Sequence, residues 1–557
     1  MTVLREFFES YYRLRPVNAT FTGVHAYDDR LPDWSPEGLE SATCEMRDLR
    51  RALSAARTAA GTVAGTAASL RDVAFRDREL AISFLDIQIA EIECAHFHRG
   101  NPSLAIGEAA FGIISLMTRA FATVVTRAEA CAARLSAVPA FLEGARRGLA
   151  PGLGAGIPDE WRRKCLRECE GADRLLAGGI ERWIALESIP ASPARHLTQA
   201  AVSARTAVAR FAEWLRGAPS GGEERYAVGE DFFDLLLDRG HWCQRSRAEL
   251  SAAAGDALDA ALDVLHQRSS RAGGWAGVQA RLADTHPTVA DYLLTYQRVW
   301  DACRRQSDTA RLLTWPEYPI RYVPIPVHTR DAAPFLYYLH YRSPAPLDNL
   351  PVHDYVVPPI EPEMDADEQE RRLRTTNTGV ITLNHVVHHG AIGHHVQNYY
   401  AYHGPSEIGR VAAVDCASRI GMFLGGTMAE GWACYATDLM DEQGFLTADE
   451  SLSQQHTRAR LIARAVVDIG LHDRSLSFED AVAVYRDRIG MPVDAARAEA
   501  CKNSMFPGTA IMYWIGADAL HRLRKEQVGG DMSLQQFHDR VLSFGSIPVP
   551  LVARVWQ

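Results

Sequence analysis

Five histidines fall within eleven positions, His385, His388, His389, His394 and His395, in the stretch NHVVHHGAIGHHVQ. Neutral imidazole is the commonest transition-metal ligand. The neighbours Val380, Ile381, Leu383, Val386 and Val387 are apolar, so the cluster reads as part of a helix with a buried face. The spacing leaves two arrangements open. On an uninterrupted helix, i and i+4 share a face, which pairs His385 with His389. His388 and His394 lie about 240° apart at roughly 100° per residue and converge only where the helix is distorted. Gly390 and Gly393 allow such a distortion, because glycine weakens a helix and tolerates unusual dihedrals. The distorted arrangement pairs His388 with His394, or with His395.

The elements that must position this cluster are mostly helical. Residues 1–310 show apolar residues at spacings of three and four, as in the stripe Ala201, Ala204, Val208, Phe211 and Leu215. The composition changes over 311–365. Eleven of the 27 prolines lie between Pro316 and Pro362, interleaved with tyrosine and valine. Proline forbids helix interiors, and short alternating runs such as Tyr337–Tyr341 predict strands. Residues 366–557 return to helical periodicity and carry the His cluster. The expected fold is mainly α: one large helical body with a deep cleft and a short proline-rich β-segment.

Composition narrows the function. The chain has 557 residues, 47% hydrophobic and 23% charged, which is ordinary globular usage. Its net charge of −10 and lack of a basic stripe argue against a nucleic-acid partner. No stretch of about 18 residues is apolar enough to span a membrane, and the N-terminus lacks the pattern of a signal peptide. The ten cysteines include no CxxC pair and read as reduced thiols. The expected location is cytoplasmic.

The segment HHGAIGHHVQ at 388–397 resembles the HExxPGHHxQ motif of the domain of unknown function 885 family, bacterial proteins resembling zinc metallopeptidases of the carboxypeptidase Taq type. Further segments match in order: LRPVNATFTGVHAYDDRLPDWS from Leu14, EGWACYA from Glu430, RAVVDIGLH from Arg464, FPGTAIMYWIG from Phe506 and FHDRVLSFGSIPVPLV from Phe537. The resemblance implies a metallopeptidase-like body holding one divalent metal, zinc by analogy, with iron as the alternative. It implies His388, His394 and Glu430 as ligands, which leave an open coordination position as a catalytic metal needs. The apolar run before Glu430 points to burial, where a carboxylate needs a partner. Tyr513 aligns with a tyrosine that could donate to an oxyanion, and His472 is a further polar group of the site.

The departures cluster at the site. His389 stands where the family has the Glu that acts as general base, Ile392 replaces the motif proline, Thr437 a second Glu, Thr509 a Gln, and Lys502 an Arg. Imidazole is a competent base near neutral pH, so His389 reads as the proton-handling residue or as a further ligand. The expected function is a metal-dependent enzyme acting on a carbonyl-containing small molecule or short peptide, without general peptidase activity. Two alternatives stand beside it. One is a non-hydrolytic metalloenzyme, a lyase, cyclase or iron-dependent oxidase. The other is a catalytically inactive metal- or peptide-binding relative.

Overall fold

The computed structural model describes residues 3–59, 67–149, 155–336, 343–348, 350, 352–414 and 419–556. It is mainly α. Long helices pack in pairs: Val124–Leu149 against Ala191–Arg216, Arg247–Arg271 against Ala448–His472, and Gly426–Glu442 against Met512–Gln527. Two large apolar cores hold them together, and both draw on distant parts of the sequence. One joins Phe75–Ile92 to Met428–Met440 and Val549–Trp556. The other joins Ala105–Leu215 to Ala459–Met505.

The proline-rich segment forms strands, in a parallel pair. β1 (Ile320–Pro324) runs beside β2 (His353–Val357) with Ile320 opposite His353 and Pro324 opposite Val357. A parallel pair needs a long crossover, and the intervening chain supplies it. The strand expected at Tyr337–Tyr341 lies outside the described residues. The buried Tyr322 of β1 and Tyr355 of β2 sit side by side, with ring centroids 5.1 Å apart, and face the histidine segment.

The N-terminal motif is pinned to this region by an imidazole clamp. His25 bonds Asp28 through Nδ1 and Asp348 through Nε2, each at 2.8 Å, and stacks on Phe121 at 3.8 Å. Burial opposes the charged ring, but the two carboxylates outweigh it and raise its pKa to about 9. A free histidine titrates near 6.5. The clamp therefore contributes its full stability below about pH 6.5 and loses it as pH rises through about 9. Melting curves of wild type and His25→Ala should differ at pH 6 and converge by pH 10. The gap at pH 6 is expected to be on the order of 1 kcal/mol, because the ring is partly solvated. A gap that persists unchanged at pH 10 would exclude the ionic clamp.

Candidate metal centre

The histidine segment is not a regular helix. Residues Ile381–Gly390 are wound with i→i+5 bonding, and the helix breaks before restarting as His394–His403. Ala391 (φ −128°, ψ −116°) and Gly393 (φ −74°, ψ −120°) carry the break. Two glycines make it fit. A Cβ on Gly393 would lie 1.9 Å from the His388 carbonyl oxygen, and one on Gly390 would lie 2.2 Å from the Tyr322 hydroxyl. The break frees carbonyls that need donors. Trp300 donates its indole N–H to the Gly390 carbonyl and Trp432 to that of Ile392, each at 2.9 Å.

This geometry separates the five histidines. His385 turns toward Tyr355, whose hydroxyl meets its Nδ1 at 2.7 Å, and lies edge-on to Tyr296. His395 stacks on Tyr318 and bonds its carbonyl through Nε2 at 2.8 Å. Both His385 and His389 lie edge-on to Tyr355, but the cluster takes in His389 and leaves out His385, so the regular-helix pair is not the one that gathers. His388, His389 and His394 converge instead, each offering a ligand atom within 4.8 Å of the others.

Glu430 completes the cluster from the helix Gly426–Glu442, in which every residue from Gly426 to Met440 is buried. Its Oε2 lies 3.5 Å from His388 Nε2 and 3.4 Å from His394 Nε2. Burial alone would raise this carboxyl, but the two imidazoles hold it well below the usual carboxylate range. Oε2 accepts no hydrogen bond among the described residues. Oε1 accepts the Tyr513 hydroxyl at 2.9 Å. That contact depends on a close helix crossing: a Cβ on Gly516 would lie 2.1 Å from the Thr427 carbonyl oxygen, and one on Gly431 2.6 Å from Gly516 Cα.

His389 donates from Nδ1 to the Asn384 carbonyl at 2.6 Å. Nδ1 therefore carries the proton, and Nε2 is left with its lone pair for the cluster. Burial, with the neighbouring His388 and His394, pushes this imidazole well below its usual range and keeps it neutral.

Two residues assigned from the resemblance do different work. His472 is fully buried, and both ring nitrogens are engaged by backbone. The Val228 N–H donates to Nδ1 and Nε2 donates to the Asn503 carbonyl, each at 3.1 Å. With no free nitrogen, it is a structural link and not a proton carrier. One helical turn earlier, Asp468 accepts the backbone N–H groups of Gly508, Ala510 and Ile511 at 2.9–3.0 Å, fixing the turn that leads into the Tyr513 helix. Tyr513 donates its hydroxyl proton to Glu430 and so orients the carboxylate, which engages that proton away from an oxyanion. Cys434 is a buried thiol, raised by burial and by Glu430 and Asp438.

A cavity of about 1240 Å³ comes up beside this region: its wall includes Tyr513 and Ala429, the neighbour of Glu430, and none of His388, His389, His394 and Glu430. It exceeds the roughly 300–1,000 Å³ usual for small-molecule pockets.

The fold and site define a mainly α protein with two histidines and a carboxylate facing one another across a broken helix. The chain belongs to the family described as bacterial protein of unknown function (DUF885), whose model matches residues 16–555. A search of curated proteins finds no match. Among solved structures, the chain is similar to a putative lipoprotein of unknown function from Shewanella oneidensis, with 18% identity, TM-score 0.75, and 100% of this chain and 98% of that one covered. It is equally similar to a putative lipoprotein from Colwellia psychrerythraea, with 16% identity, TM-score 0.75 and coverage of 99% and 97%. These likenesses establish the shared fold. Among the described residues, no helix is long and apolar enough to cross a membrane.

Proposed function

We propose that this protein is a metal-dependent enzyme that acts on a carbonyl-containing small molecule or short peptide. One observation carries the reading. Glu430 Oε2 stands 3.4–3.5 Å from both imidazole nitrogens. Those separations equal the edge of a tetrahedron with bonds of about 2.0–2.2 Å, the length of zinc–nitrogen and zinc–oxygen bonds. The donor set fits a divalent transition ion, zinc by resemblance. His388, His394 and Glu430 would hold it, and it would supply Lewis acidity toward a substrate carbonyl.

The chain's own groups take the remaining roles. Tyr513 orients Glu430. His389 presents a neutral Nε2 that can accept a proton, its ring fixed by the Asn384 carbonyl. Where zinc peptidases carry a carboxylate, this imidazole makes the site less negative by one unit, which favours a substrate oxygen over water. General cleavage of unstructured peptides is therefore expected to be weak or absent.

The test is metal content and turnover in one series of variants. Wild type should hold about one transition ion per chain. His389→Ala should keep it while losing about 10²–10⁴-fold in turnover of the true substrate, the usual contribution of a general base. His389→Glu should raise weak peptide or ester hydrolysis. Robust broad peptide cleavage by the wild type would contradict the reading, and unchanged turnover in His389→Ala would remove the proton-transfer role. A second reading has its own support, since His389 lies within ligand reach of His388 and His394. Loss of metal in His389→Ala would make it a ligand and favour non-hydrolytic chemistry, with iron as the candidate ion.

A further inference from the structure

The same cavity carries two half-buried charged side chains, a cation and a carboxyl, that form no ion pair with a described residue. Along its wall Arg13 pairs with Glu45, Lys164 with Glu168, Arg419 with Glu91, and Arg464 with Glu499. Arg15 and Glu108 also line it, and neither forms an ion pair among the described residues. Arg15 uses Nη2 on Gln88 and on the sulfur of Met46. Its Nε and Nη1 have no hydrogen-bond partner there. The guanidinium is held in place by the rings of Tyr11 and Phe84, 5.3 and 5.4 Å from its central carbon. Glu108 accepts no hydrogen bond from a described residue. Arg134, a buried cation whose charge acts on Glu108, gives its donors to the carbonyls of Pro16, Tyr27, Arg30 and Gly112 and to the hydroxyls of Thr20 and Ser115.

Arg15 and Glu108 feel each other's charge without touching. Burial raises the Glu108 carboxyl to about 7, against the pull of Arg134 and Arg15. Both side chains are half-buried, and a charge partly withdrawn from water is stabilised by a partner of opposite sign. A cation and a carboxyl that share a cavity yet leave a gap between them are complementary to a ligand carrying both opposite charges. Apolar neighbours in the wall, Phe21, Trp34 and Phe111, suit an apolar body on that ligand.

We propose that Arg15 and Glu108 form a zwitterion-binding subsite, Arg15 receiving a carboxylate and Glu108 an ammonium, for an amino acid or short peptide with an apolar side chain. The proposal names the substrate class for the activity proposed above. It rests on that reading only in taking this cavity as the substrate's.

Calorimetric titration in the presence of a chelator tests binding apart from metal chemistry. The probes are leucine, leucyl-leucine, N-acetyl-leucine and leucinamide. Leucine or leucyl-leucine should bind the wild type, and the tighter of the two identifies the free amino acid or the peptide. N-acetyl-leucine lacks the ammonium and leucinamide the carboxylate, and each should bind at least about tenfold more weakly, the scale of one charge-assisted hydrogen bond. Glu108→Gln, nearly isosteric, should remove the penalty for acetylation. Arg15→Lys, which keeps the charge but not the fork, should weaken carboxylate binding. Equal binding of capped and uncapped probes by the wild type, or no binding of either zwitterion, would overturn the subsite. Neither outcome touches the metal reading, which depends on ion content and turnover.

Discussion

Glu430→Ala is expected to leave the protein folded and unable to hold the proposed metal. Removing it leaves two imidazoles, which do not make a stable site. Partners outside the ligand shell already cost about 10–100-fold in affinity when lost, so loss of the carboxylate should exceed about 100-fold. Tyr513→Phe removes the hydrogen bond to Oε1 but no ligand, and it should fall within that 10–100-fold range. The readout is the rise in melting temperature on adding zinc, because a ligand that binds only the native state stabilises it in proportion to log affinity. Wild type should show a large rise, Tyr513→Phe a smaller one, and Glu430→Ala none at the same concentration. If His385→Ala abolishes the rise while Glu430→Ala preserves it, the site lies elsewhere on the segment.

Gly393→Ala should be as damaging without removing any ligand. The added methyl would lie 1.9 Å from the carbonyl oxygen of His388, in the backbone of a proposed ligand. Backbone cannot move aside as a flexible side chain can. The break must open or shift, and either separates His388 from His394. Overpacking of this kind typically costs about 1–3 kcal/mol, occasionally more. The expected variant is destabilised by that amount and has lost the zinc-induced rise in melting temperature. An alanine variant with wild-type stability and metal response would show that the break does not need glycine.

The two glycines between histidines six residues apart made the break one of two arrangements that the spacing left open, and the family resemblance chose between them. The helical body was readable from its apolar periodicity, and a small β-element from the change of composition over 311–365. The fate of His385 was not, because its partner Tyr355 arrives from a strand thirty residues away. His472 misled for a related reason: both of its partners are backbone groups of distant segments, and backbone leaves no mark in a sequence pattern. That Arg15 and Glu108 line one cavity was equally hidden, since neither residue belongs to a cluster along the chain.

The interleaving of the two cores has a consequence for biosynthesis. The helices around Ala105–Leu215 bury their apolar faces partly against Ala459–Met505. At about 5–20 residues per second, the second group leaves the ribosome roughly 20–70 s after the first. Throughout that interval the early helices expose surface whose native cover has not been made. The nascent chain must then be shielded by chaperones or by transient self-association of its own helices. Its yield in a heterologous host should respond more to chaperone supply and growth temperature than to the rate of transcription.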